Sequence, residues 1–175
     1  LNPNLFDWQA AIVRWALRKG RAALFEDCGL GKTIQQLAWA EQIPGNVLIL
    51  TPLAVARQIE REAKALGYEA RVIREQADAR DGINICNYDR LHLIQPDEFC
   101  AVTLDEASIL KSFTGATRKL ITRFVAKTPY RLLCTATAAP RSARAPPVRS
   151  RSAAPGPGQA APAHRKSHKR PTSSS

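Results

Sequence analysis

The sequence predicts an α/β domain with a mainly parallel sheet and helices on both faces. Three observations lead there. Short apolar runs of strand length alternate with segments of helical period from about residue 5 to residue 135. A glycine-rich turn ending in Gly31-Lys32-Thr33 sits between one such run and a helix-period segment. Polar motifs recur where apolar runs stop: after Phe25, Leu50, Ile85, Leu104 and Cys134. Open parallel sheets bind ligands at the carboxyl ends of their strands, so this placement is informative in itself.

The elements follow in chain order. Trp8, Ala11, Ile12, Trp15 and Ala16 share a helical face, and the helix stops at Gly20. The two tryptophans read as packing residues, with Trp8 a second candidate for a base-flanking ring. Ala22–Phe25 is a short strand entering the glycine turn. Thr33–Gln42 reads as a helix with Ile34, Leu37 and Ala38 on one face, ended by Pro44-Gly45. Val47–Leu50 is continuously apolar, as a parallel strand buried on both faces should be. Leu53–Leu66 is helical and closes at Gly67, and residues 70–73 and 83–87 are further strands. Ala101–Leu104 is a strand running into Asp105-Glu106. Thr114–Ala126 is a helix with Leu120, Ile121, Phe124 and Val125 on one side, and Arg131–Cys134 is the last strand.

The glycine turn carries phosphate chemistry. Glycines let the backbone curl with its N–H groups pointing inward. A helix starting near Lys32 adds unpaired N–H groups and a positive dipole end. Lys32 is placed to reach the β- and γ-phosphates of a nucleoside triphosphate, and the Thr33 hydroxyl to ligate magnesium. The strict pattern has glycine where Glu26 stands; the bland alternative is an ordinary strand–turn–helix with a surface lysine. Asp105-Glu106 is the second element. Adjacent carboxylates at a buried strand end are costly unless a positive group satisfies them, and a magnesium ion would do so. Asp105 is the candidate metal ligand and Glu106 the candidate base for an attacking water. Its bland alternative is an acidic helix cap.

Composition limits the other classes. The chain has 175 residues and a net charge of +11. Residues 1–140 hold 18 Lys and Arg against 15 Asp and Glu, a net of +3, while residues 141–175 hold 8 Lys and Arg and no acid. A nucleic-acid role therefore rests on motifs rather than overall charge. The four cysteines (Cys28, Cys86, Cys100, Cys134) are widely spaced with no neighbouring histidines, which argues against zinc. Three of them sit in or beside apolar runs, as small buried residues do. With no signal peptide and no membrane-length apolar run, the expected location is the cytoplasm, with no membrane partner. The chain lacks methionine and opens Leu1-Asn2-Pro3, which reads as a fragment without its own start.

These motifs, in this order, resemble those of superfamily 2 helicases and translocases, more narrowly the Swi/Snf-like branch and its phage and bacterial relatives. The resemblance spans residues 5–140. Phe6-Asp7-Trp8-Gln9 resembles the glutamine motif, which implies that Gln9 reads adenine. Asp27-Cys28-Gly29-Leu30-Gly31-Lys32-Thr33 is similar to motif I and implies ATP. Thr51-Pro52-Leu53 resembles motif Ia and Asn87-Tyr88-Asp89 the segment near motif Ib; both imply nucleic-acid contact. Asp105-Glu106-Ala107-Ser108 is similar to the Asp-Glu-Ala-His box, with serine for histidine. Lys111 and Ser112 resemble the lysine–asparagine pair that follows that box. Thr135-Ala136-Thr137 looks like motif III, which links the nucleotide site to the nucleic acid. The resemblance implies a RecA-like domain using ATP and Mg2+, encoded by a bacterium or phage and acting on DNA rather than RNA. It also implies a second RecA-like domain, in cis or in trans, with motifs IV–VI and transition-state arginines. Nothing after Cys134 has the apolar alternation of such a domain.

The domain expected is thus 1–140, a truncated first half that is weakly active alone. From 141 to 175 the chain is Arg, Pro, Ala, Ser and Gly with Val148 as its one large apolar residue, a composition expected to stay disordered. One reading of this tail is an out-of-frame extension from a GC-rich gene. Its His164 and His168, set among Arg165, Lys166, Lys169 and Arg170, suggest loose attraction to polyanions. Arg57 and Gln58 are candidates for phosphate contact or for a solvated helix face, and Tyr88 for base stacking or packing. His92 reads as structural. Two rival functions remain: a non-catalytic nucleotide- or nucleic-acid-binding module completed by a partner chain, and another nucleotide enzyme such as a transporter ATPase or small-molecule kinase. The Asp-Glu-Ala-Ser box followed by Thr-Ala-Thr disfavours the latter.

Overall fold

The computed structural model describes residues 1–26, 29–107 and 115–136. Asp27, Cys28, Ser108, Lys111, Ser112, Thr137 and the whole 141–175 tail lie outside the described residues.

Six strands form one sheet: β1 (Arg21–Phe25), β2 (Val47–Thr51), β3 (Ala70–Val72), β4 (Ile83–Asn87), β5 (Ala101–Leu104) and β6 (Tyr130–Thr135). Their spatial order is β1-β6-β5-β2-β4-β3, and every pairing is parallel. The helices are α1 (Asp7–Lys19), α2 (Lys32–Glu41), α3 (Leu53–Ala65) and α4 (Gly115–Lys127). The α/β class and the ten elements read from periodicity are all present, with ends shifted by a residue or so.

The strands in the middle of the sheet are buried on both faces, and their side chains alternate between two cores. Val47 and Ile49 of β2 face a core shared with Val13 of α1, Leu37 of α2 and Ile59 of α3. Leu48 and Leu50 face the other, with Val102 and Leu104 of β5 and Ile121 and Phe124 of α4. Removing a methylene-rich side chain such as Leu48 from this packing costs about 2–5 kcal/mol.

Helix α1 corrects the sequence reading. Its buried residues are Gln9, Ala10, Val13 and Ala16. Trp8 and Trp15, read as packing residues, are 43% and 40% exposed. The face rotated because a polar residue, Gln9, is buried at its centre, and its bonding to the glycine turn outweighs its polarity. Cys100, grouped by its apolar flank with buried cysteines, is exposed, whereas Cys86 and Cys134 are buried. His92 sits in a short 3-10 segment, Tyr88–Leu93, with Nδ1 2.9 Å from the carbonyl of Asp89. Among the described residues no helix is long and apolar enough to cross a membrane.

Candidate nucleotide site at the carboxyl end of the sheet

Strand β1 ends at Phe25, and the Glu26 N–H continues its ladder by donating to the Thr135 carbonyl at 3.1 Å. The chain then turns through Gly29 and Gly31, which have φ of 87° and 74°. Both values lie in the left-handed region that side chains resist. Gly31 is tightly placed as well: a Cβ there would come within 2.6 Å of Gln9 Nε2. It leads directly into α2, whose first turn has no side-chain cap. A helix start behind a glycine turn is a setting that suits an anion.

Several side chains fix the turn. Lys32 Nζ donates to the Glu26 carbonyl at 2.9 Å. Gln35 Nε2 donates to Glu26 Oε2 at 2.7 Å. Gln9 Nε2 donates to the Leu30 carbonyl at 2.9 Å, while its Oε1 accepts from the Phe6 N–H at 3.0 Å. Gln9 is therefore a brace between α1 and the turn. Glu26, the departure from the strict glycine pattern, is buried, and among the described residues its Oε1 has no hydrogen-bond partner.

Asp105 follows β5 and is held from four sides. Gln36 Nε2 donates to its Oδ1 at 2.9 Å, and Thr51 Oγ1 to its Oδ2 at 3.1 Å. Its N–H donates to the Leu50 carbonyl at 2.7 Å, and its carbonyl accepts from the Tyr88 hydroxyl at 2.7 Å. Gln36 is in turn fixed by Thr103, whose hydroxyl donates to Oε1 at 2.8 Å. Burial raises the Asp105 carboxyl above the usual carboxylate range; the Gln36 and Thr51 bonds oppose this, and the neighbouring Glu106 charge adds to it. Glu106 has φ of 51°, the one non-glycine in the left-handed region among the described residues. Strain of this kind is held only where the surroundings impose it.

Magnesium fits this donor set. It takes hard oxygen ligands and usually binds through one or two protein groups plus phosphates and water. Asp105 offers a half-buried carboxylate whose side-chain partners are neutral donors, a setting in which a cation is favourable. Thr33 and Gln36 stand at i and i+3 on α2, hence on one face, and Gln36 touches Asp105.

The remaining sequence candidates separate. Thr135 is buried at the end of β6, with Ala136 beside it. Thr51 and Tyr88, expected on a nucleic-acid path, turn their side chains inward onto Asp105 and are buried. Pro52 caps the start of α3. Arg57 is exposed and paired with Glu60 at 2.7 Å. Gln35 and Gln36 were missed. Their signal was two adjacent amides at the head of a run that continues Leu37-Ala38-Trp39-Ala40, and a lone threonine inside the apolar β5.

No protein-family profile and no curated protein matches the chain. Solved structures do. The Sulfolobus solfataricus SWI2/SNF2 ATPase core, in complex with dsDNA, is similar at TM-score 0.63 and 23% identity, over 79% of this chain and 33% of that one. The UvsW helicase from bacteriophage T4 gives 0.62 and 14%, over 75% and 52%. The Pyrococcus furiosus Hef helicase domain gives 0.63 and 19%, over 77% and 34%. The chain thus spans between a third and about half of the length of these neighbours. At such identities it is the fold alone that is shared: this chain has the RecA-like α/β fold.

Proposed function

We propose that this chain is the ATP-binding half of a nucleic-acid-dependent ATPase of the helicase or translocase type. One observation carries the reading. Helix α2 begins at Lys32 and Thr33 in the glycine turn, and one turn later its Gln36 bonds Asp105 at 2.9 Å. The two motifs that sequence separates by seventy-odd residues are thus joined through α2 at one end of the sheet.

In this reading Gly29, Leu30 and Gly31 cradle the phosphates, Lys32 binds the β/γ oxygens, and Thr33 and Asp105 hold Mg2+. Magnesium supplies charge neutralisation when bound. Glu106 orients and deprotonates water, Gln9 contributes to adenine selection, and Thr135, Ala136 and Thr137 couple the site to nucleic acid. Pro52, Arg57 and Asn87 lie toward the strand; Thr51 and Tyr88 act behind them, through Asp105. DNA is the favoured partner because the Sulfolobus neighbour is in complex with dsDNA. Completion by a second RecA-like domain, in cis or in trans, is supported by the greater length of the neighbours. Without its transition-state arginines, turnover in the isolated chain falls by about 10³–10⁵.

The test is nucleotide titration of the wild-type chain and Lys32→Ala with Mg2+ present. Loss of measurable binding in the variant is expected. An unchanged affinity removes the site assignment.

A further inference from the structure

Where the strict phosphate-turn pattern has glycine, this chain has a buried carboxylate, Glu26. Its main chain joins two parts of the site. The N–H donates to the Thr135 carbonyl at 3.1 Å, and the carbonyl accepts from Lys32 Nζ at 2.9 Å. Its side chain reaches back to the glycine turn through Gln35. Gln35 Nε2 donates to Glu26 Oε2 at 2.7 Å and lies 3.4 Å from the Leu30 carbonyl. A single buried amide therefore separates this carboxylate from the backbone of the turn.

A hydrogen-bond acceptor for Gln35 need not be charged, so the charge calls for its own account. Among the described residues Glu26 has no cation at ion-pair distance. Its field is felt across the site. Burial raises the Cys134 thiol, the Asp105 and Glu26 carboxylates add to that, and Lys32 opposes them. Cys134 lies on β6, between the strands that carry the two motifs, and it senses charges from both. The described ionisable side chains of those motifs are Glu26, Asp105 and Glu106 against Lys32 alone. An excess of carboxylate opposes a bare polyphosphate and favours one that brings a cation with it. Asp105 would meet that cation as a ligand. Glu26, its carboxylate held by Gln35, acts through space, and such an effect scales with the net charge of the ligand.

We propose that Glu26 is a specificity-determining residue of the nucleotide site: its carboxylate disfavours metal-free nucleotide and so selects the magnesium complex, without touching either. The proposal rests on the nucleotide reading above. It goes further by giving the departure from the glycine pattern a task.

The experiment is calorimetric titration of the full 175-residue chain with ATP and ADP, each in excess Mg2+ and in EDTA. A unit charge roughly 10 Å away, at an effective dielectric of about 20, changes affinity about tenfold per ligand charge. Wild type is expected to bind metal-free ATP no tighter than metal-free ADP, because the added phosphate adds opposed charge. Glu26→Gln keeps a carbonyl acceptor for Gln35 and removes the charge. It is expected to gain about tenfold or more for metal-free ATP and less for the magnesium complex, so that the two affinities converge. Glu26→Asp keeps the charge and should keep the wild-type ratio. If Glu26→Gln changes both affinities by the same factor, or neither, Glu26 is a structural acceptor only; the proposal is overturned and the nucleotide reading stands. Metal-free ATP binding wild type more tightly than metal-free ADP overturns it without any variant, so the test does not depend on the variants folding. Wild type that binds no nucleotide in either medium removes the nucleotide reading itself.

Discussion

Gln36 donates its side-chain amide to Asp105 at 2.9 Å while accepting from Thr103 at 2.8 Å. A neutral side chain, buried to 1% exposure, thereby sets the position of the candidate metal ligand. Gln36→Leu keeps most of the volume but leaves the Thr103 hydroxyl and Asp105 Oδ1 without that partner. Orphaned buried groups cost about 1–3 kcal/mol. A urea midpoint should fall accordingly, and Mg2+-dependent nucleotide affinity should fall with it. A stability change below about 0.5 kcal/mol would mean that the contact is incidental.

Asp105 should make stability pH-dependent in a definite direction. Burial raises its folded pKa above the ordinary 3.8. Between 3.8 and the raised value the folded chain holds a proton that the unfolded chain has released. Stability must then fall as pH rises through that window, and the penalty is complete above it. Asp105→Asn carries no such proton. The difference in unfolding free energy between variant and wild type should grow in the variant's favour as pH rises from 3.8 toward neutrality. A difference that is flat with pH would mean that Asp105 is ordinarily solvated. Mg2+ should shrink the gap by stabilising the ionised wild type.

Glu106 offers a separation of stability from activity. Its φ of 51° costs a non-glycine residue about 1–2 kcal/mol, and asparagine tolerates that region better. Glu106→Asn should therefore melt no lower than wild type, with up to about 1 kcal/mol gained. If Glu106 activates water, the same variant should lose ATP turnover when measured with the completing second domain. Full activity in the variant would reassign the strain to a structural turn.

The fold was legible because each strand is a local apolar run and each helix a local period. The candidate site was legible as a set of motifs where one residue type is needed at one place, as at Gly31, Lys32 and Asp105. What escaped depends on strand order. Thr51 ends β2 and Tyr88 follows β4, and nothing local shows that β5 lies beside β2, bringing Asp105 to both. Gln36 escaped for a related reason: helical period assigns faces from apolar residues, and a buried amide with partners on another strand looks like a solvent-facing one. Trp8 and Trp15 misled in the opposite sense, since their size implied burial that Gln9 had already claimed.

The cysteines test the sheet and the site together. The thiolate is the reactive form, so a thiol that is both buried and raised in pKa is inert. Burial raises Cys86 to about 11. Cys134 is also raised well above its ordinary value, by burial first and then by the Asp105 and Glu26 carboxylates, with Lys32 opposing. Cys100 is exposed. Alkylation of the native chain near neutral pH, mapped by peptide mass, should mark Cys100 and spare Cys86 and Cys134; peptide mapping keeps Cys28 separate. Cys86 lies on β4 and Cys134 on β6, on opposite sides of the β5–β2 pair. If the sheet unfolds as one unit, both should become reactive at the same urea concentration. Cys134 reacting ahead of Cys86 would instead show that the β1–β6 side, which carries the glycine turn, opens on its own. In that case Mg2+ and nucleotide should close it and delay Cys134 alone.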